Sequence, residues 1–159
     1  MKWLKKQLRD FGIPYGLAVG GLLLLLLLLL ISKMFTFDKD TEAKLATLEP
    51  GFRRKVRVFL AAVQAQLGLD PLVTSARRTA AQQDALRRQD KRNPPSTTPT
   101  THMQGLAVDL NFKKAGVVVL RMASTNAQWA PVVAIADKFG FTWGGRFTGY
   151  PDRVHFDAR

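Results

Sequence analysis

Cysteine is absent from the 159 residues, which excludes disulfide frameworks, thiolate zinc clusters and cysteine nucleophiles. Acid is scarce: 12 Asp+Glu stand against 24 Lys+Arg, a formal net charge of +12. Such a charge points to an anionic partner without choosing among nucleic acid, phospholipid and anionic cell-wall polymer. Histidine is scarcer still, at two residues, so imidazole chemistry has only His102 and His155 to draw on. No internal repeat is visible. With 47% hydrophobic and 23% charged residues the bulk is globular rather than disordered. One soluble domain of about 100–150 residues fits in this length and a second does not.

Charge is missing altogether from Phe11 to Ile31, where Leu22–Leu30 is an unbroken leucine run. As a helix rising roughly 1.5 Å per residue, this segment covers about 32 Å, the thickness of a bilayer's hydrocarbon core. A cleaved signal peptide would have an apolar region of about 7–15 residues and a small-x-small site. Here the run is longer and ends Ile31-Ser32-Lys33-Met34-Phe35, so an uncleaved anchor over 11–32 is expected. Lys2, Lys5, Lys6 and Arg9 crowd the short N-terminal flank, whereas Lys33, Lys39 and Lys44 are interleaved with Asp38, Asp40 and Glu42. The positive-inside rule then keeps residues 1–10 cytoplasmic and sends the C-terminal part across the inner membrane. Residues 33–48, polar and mixed in charge, read as a tether to a domain over 49–159.

In that domain Phe52, Val56, Phe59, Leu60, Val63 and Leu67 recur at threes and fours, predicting a helix that stops at Gly68. Leu72-Val73-Thr74 reads as a short strand and Thr79–Gln89 as a helix with Thr79 near its cap. Asn93–Thr101, with three prolines, is a loop. Leu106–Phe112 alternates, with Leu106, Val108, Leu110 and Phe112 on one face and Ala107, Asp109 and Asn111 on the other. Asn126 is expected to cap a helix from about Ala127 to Phe139. Two short strands follow, near Phe141-Thr142-Trp143 and Val154-His155-Phe156. The fold class is α+β, a small antiparallel sheet flanked by helices.

Asp109 sits in the middle of an otherwise apolar strand, which is costly unless it is paired, hydrogen-bonded or bound to metal. His102 lies seven residues before it, and His155 follows Asp152 by three. Two imidazoles and a carboxylate form a three-ligand zinc set with a fourth position open to water. A further, non-ligating carboxylate can then serve as general base. Spacing alone leaves open an ordinary His–Asp hydrogen bond and a surface Asp152–His155 pair.

His102-Met103-Gln104-Gly105-Leu106-Ala107-Val108-Asp109 resembles the H-x-x-G-x-A-x-D motif of the family that joins zinc D-alanyl-D-alanine carboxypeptidases and L-alanyl-D-glutamate endopeptidases. Trp143-Gly144-Gly145 and then Asp152-Arg153-Val154-His155-Phe156 resemble its W-G-G and D-x-x-H-F ending. Thr74–Thr79 with Gln83 and Leu86 is similar to its S-G-y-R-T-x-x-x-Q-x-x-L segment, with Ala76 and Arg77 departing from the pattern. The resemblance implies that His102, Asp109 and His155 bind Zn2+, that Asp152 is the general base and acid, and that Arg78 faces the substrate or its developing oxyanion. Gln83 and Trp143 are expected to contact substrate. The ending looks more like the endopeptidases, so cleavage of the L-Ala–D-Glu bond in peptidoglycan stems is expected, with D-Ala-D-Ala carboxypeptidase as the alternative.

A non-catalytic peptidoglycan binder would have the groove without turnover, yet every expected ligand and the base are present. Nucleic-acid binding rests on charge alone, and no nucleic-acid motif accompanies it. The expected partners are therefore peptidoglycan and, through one helix, the membrane, with a monomeric catalytic domain on the extracytoplasmic side.

Overall fold

The computed structural model describes residues 37–158. The basic flank 1–10, the apolar span 11–32 and the start of the tether lie outside the described residues. Residues 37 onward form one compact unit. Its elements are α1 (Lys39–Ala46), α2 (Pro50–Leu67), β1 (Asp70–Ser75), α3 (Ala80–Gln89), β2 (Ala107–Lys114), β3 (Val117–Leu120), α4 (Asn126–Lys138), β4 (Thr142–Trp143), a 3-10 turn (Gly144–Arg146) and β5 (His155–Asp157). Among the described residues no helix is long and apolar enough to cross a membrane.

All strand pairs are antiparallel, in the order β1-β2-β5-β4. The long strand β2 organises the sheet. One edge pairs with β1; the other pairs with β5 at its start and β3 at its end. The core lies between the sheet and helices α2 and α4. On α2 the expected stripe of Phe52, Val56, Phe59, Leu60 and Val63 is buried. Each such side chain contributes roughly 1.5–3 kcal/mol on leaving water. Phe59 meets Phe156 at 5.6 Å between ring centroids, and Trp129 of α4 meets Phe156 at 5.9 Å. Phe156 thus anchors β5 in the core, and alternation turns His155 and Asp157 to the opposite face.

Three local expectations are corrected. The tether is folded from Lys39 onward. Asp38 caps α1 by accepting from the Thr41 N–H at 3.0 Å, and Leu45 is wholly buried. The reason is tertiary. β1 is an edge strand with unpaired backbone groups, and α1 covers that edge: Lys44 Nζ donates to the Val73 carbonyl at 2.9 Å, and the Val73 N–H points to Thr41 Oγ1 at 3.4 Å. Secondly, α4 is capped by Thr125 rather than Asn126, because Thr125 and Gln128 form a reciprocal capping box. Thirdly, Val117–Leu120 is a strand that the sequence reading passed over. It is joined to β2 by a two-residue turn in which Ala115 and Gly116 have φ of 50° and 79°, left-handed values matching the twist of a tight hairpin.

Candidate metal centre

The β2–β5 ladder sets Asp109 directly opposite His155. His102 reaches the same point from the end of the Pro/Thr loop, where its carbonyl accepts from the Arg78 and Gly105 N–H groups, both at 3.1 Å. Gly105 closes this turn at φ +74°, and a Cβ there would lie 2.9 Å from the Glu49 nitrogen. Three donor atoms then form a nearly equilateral triangle. His102 Nε2 to Asp109 Oδ1 is 3.1 Å, His155 Nδ1 to Asp109 Oδ1 is 3.2 Å, and His102 Nε2 to His155 Nδ1 is 3.2 Å. A tetrahedral zinc with ligand bonds of about 2.0–2.1 Å separates its donors by about 3.3–3.4 Å. The triangle fits such an ion with adjustments of a few tenths of an ångström. All three residues are buried, and they form one group able to hold a metal.

The atoms behind the triangle fix which nitrogen faces it. A carbonyl can only accept, so the 2.7 Å contact of His102 Nδ1 with the Ala76 carbonyl puts the proton on Nδ1 and the lone pair of Nε2 toward the ion. His155 is turned the other way: its Nε2 lies 3.0 Å from Asp157 Oδ2, leaving Nδ1 as ligand. Outer acceptors of this kind orient imidazole ligands and raise their basicity. Asp157, wholly buried, was missed in the sequence. The signal was there, since the residue two after His155 on a strand shares its face. Asp157→Asn should weaken zinc affinity about 10–100-fold while leaving the fold intact, as read by competition with a chromogenic chelator; unchanged affinity would remove this role.

Electrostatics agree with a cation site. Burial raises the Asp109 carboxyl, but the two imidazoles in contact with it, and the nearby Arg78 charge, outweigh it and hold Asp109 well below the usual carboxylate range. Burial depresses His155, but bonds to Asp109 and Asp157 overcome it and lift the imidazole to about 9 in the metal-free protein. A proton and a metal ion therefore compete for Nδ1. Arg78 donates from Nη2 to the second oxygen of Asp109 and from Nε to Ser75 Oγ at 3.0 Å.

Asp152 stands beside this group. Its N–H donates to the Gly144 carbonyl at 2.9 Å, and its own carbonyl accepts from the His155 N–H at 3.2 Å. Gly144 is required for this approach, because a Cβ would fall 2.4 Å from the Asp152 carbonyl oxygen and 2.9 Å from His155 Cβ. Burial first, then the charge of Asp109, raise the Asp152 carboxyl above its ordinary value. Its Oδ1 is buried with no hydrogen-bond partner among the described residues. Asp152 lines a cleft of about 540 Å³ together with Arg78, Gln83, His102 and His155. A second cavity, of about 630 Å³ and lined by Lys44, Arg77 and Asp109, meets the first at Arg78.

The other two expected substrate contacts differ. Gln83 is buried on the cleft wall, where its Nε2 donates to the Pro94 carbonyl at 2.9 Å and pins the Pro/Thr loop, while its Oε1 has no partner among the described residues. Trp143 is corrected from cleft wall to core. Its indole N–H donates to the Arg153 carbonyl at 2.8 Å, and its ring lies where a Cβ on Gly145 would need to be. It braces the turn carrying Asp152 and His155, because an aromatic this size gains more from burial than a cleft wall allows.

Residues 95–158 match the family described as D-alanyl-D-alanine carboxypeptidase. The chain is 30% identical over 110 residues to the peptidoglycan L-alanyl-D-glutamate endopeptidase CwlK of Bacillus subtilis, an alignment covering 62% of this chain and 66% of that protein. The chain is similar to this peptidase family over those residues. The alignment thus spans just under two thirds of that family member's length. The fold is shared with two solved structures. The L-Ala D-Glu endopeptidase ChiX of Serratia marcescens superposes with a TM-score of 0.59 at 23% identity, over 76% of this chain and 87% of that one. The vancomycin-resistance D,D-pentapeptidase VanY, solved in complex with Zn(II), gives 0.51 at 18% identity, over 69% and 71%.

Proposed function

We propose that this chain is a zinc-dependent peptidoglycan peptidase that hydrolyses the L-Ala–D-Glu bond of stem peptides. The observation carrying this reading is the donor triangle of His102, Asp109 and His155, with both imidazoles locked from behind, beside Asp152 on the wall of an open cleft. His102 Nε2, His155 Nδ1 and Asp109 Oδ1 would hold the ion. When bound, zinc supplies Lewis-acid polarisation of the scissile carbonyl and acidifies the attacking water. The Asp152 carboxylate takes that water's proton and returns it to the leaving amine. Arg78, at the junction of the two cavities, donates to the oxyanion as charge develops there. Gln83 acts from behind the cleft wall, holding the Pro/Thr loop in place through the Pro94 carbonyl.

The choice of bond follows the two endopeptidase relatives and the W-G-G and D-x-x-H-F ending. D-Ala-D-Ala carboxypeptidase is the second reading, favoured by the family description and by VanY. The apolar run 11–32 anchors the chain in the inner membrane, with a monomeric catalytic domain on the extracytoplasmic side where peptidoglycan lies. Mass spectrometry of muropeptides digested with the zinc-loaded protein tests the bond. New L-Ala carboxyl ends and D-Glu amino ends are expected; release of terminal D-Ala would establish the second reading, and intact muropeptides would overturn both.

A further inference from the structure

We infer that the β2–β3 hairpin is a lipid-docking edge, seating the domain on an anionic phospholipid surface; the inference rests on the membrane-anchor part of the proposed function. Val117 is 66% exposed, Val118 38%, Val119 40% and Met122 37%. These are four of the six large apolar side chains exposed among the described residues, so the exposure is clustered. Scattered exposed apolar residues are ordinary, but a cluster rimmed by charge marks an interaction surface. The rim is cationic. Lys114 and Arg121 flank the valines, no acid occurs from Lys113 to Ala123, and neither cation forms an ion pair among the described residues, while Lys113 lies across the ladder from Asp70. Near an anionic bilayer each such cation favours partitioning about fivefold, and the valines bury in the headgroup boundary.

Two placements select lipid. α1 runs alongside β1 from Thr41 at Val73 to Thr47 at Arg77, so Asp38 lies toward the Asp70 end of β1, opposite Lys113, and the hairpin lies where the described chain enters the domain. Residues 32–36 are all that separate Ile31 from Phe37, at most about 22 Å of extended chain. The metal ligands lie at the other end of β2, since Asp109 precedes Lys114 by about 17 Å of strand. A docked hairpin therefore leaves the cleft clear of lipid. The outer edge of β3 could also pair with a second copy, but symmetric pairing would bring two sets of cations together.

The chain contains no cysteine, so Val117→Cys and Thr97→Cys each take one environment-sensitive fluorophore. Thr97 is an exposed residue of the Pro/Thr loop. The labelled full-length chain is reconstituted into phosphatidylglycerol-containing vesicles carrying a shallow doxyl-lipid quencher and recovered by flotation. The label at 117 should be quenched about twofold or more and the label at 97 should not. Adding Lys114→Glu and Arg121→Glu should return position 117 to the level of position 97. Equal, unquenched labels on a chain that floats would overturn the docking and leave the anchor standing. A chain that fails to float would overturn both. A label at 117 that is protected in detergent and unquenched by lipid would show a second copy on the edge and also overturn the docking.

Discussion

Asp152→Asn should retain a full equivalent of zinc and lose turnover by about 10²–10⁴-fold, the usual contribution of a positioned general base. In the proposed site the metal would be held by His102, Asp109 and His155, and Asp152 contributes no atom to that triangle. What the substitution would remove is the carboxylate proposed as proton acceptor, whose Oδ1 has no partner among the described residues. The same geometry gives a second expectation. Burial and the charge of Asp109 both disfavour the ionised carboxylate, and a neutral amide of the same shape escapes that penalty. The variant should therefore melt at the parent temperature or above it, while losing activity. Zinc content, melting temperature and muropeptide turnover measured on one preparation separate the possibilities. A fully active Asp152→Asn would move the base elsewhere, and a zinc-free one would make Asp152 a ligand.

His102→Ala should abolish both zinc binding and hydrolysis. His102 contributes one corner of the triangle and also bonds to the Ala76 carbonyl, so truncation opens the site and leaves a buried acceptor unsatisfied at a cost of about 1–3 kcal/mol. For the parent protein, zinc at a thousand times its Kd should add about 4 kcal/mol of stability. EDTA should remove that gain together with the activity, and added zinc should restore both. In the variant, neither EDTA nor zinc should change the melting temperature. An undiminished zinc response in His102→Ala would sink the metal assignment, whatever the effect on hydrolysis.

Much of the domain is legible in the sequence because its signals are local. The stripe from Phe52 to Val63 has helical spacing, Thr79 caps the next helix, and the alternation through Asp109 announces a strand with one polar, buried exception. Where the reading departed from the structure, the deciding contact was distant. Residues 39–46 have too few apolar side chains to announce a packed helix; they fold onto β1 because Thr41 and Lys44 reach the open edge at Val73. Val117–Leu120 is a strand because β2 continues past β5 and offers it a partner. Trp143 beside two glycines suggests a cleft wall, yet the carbonyl of Arg153, ten residues on, draws it into the core.

By itself the sequence determined the chemical inventory: two imidazoles, an acid on a buried strand, a second acid three residues before the last histidine, and a charge-free run long enough for a bilayer. Those are statements about residue type and spacing along the chain. Only the tertiary structure decided that His102 and His155, 53 residues apart, share one oxygen of Asp109, and that Ala76 and Asp157 choose which nitrogen each ring presents. Coordination depends on tenths of an ångström between atoms that local periodicity cannot relate, and it is the pairing of β2 with β5 that brings them together.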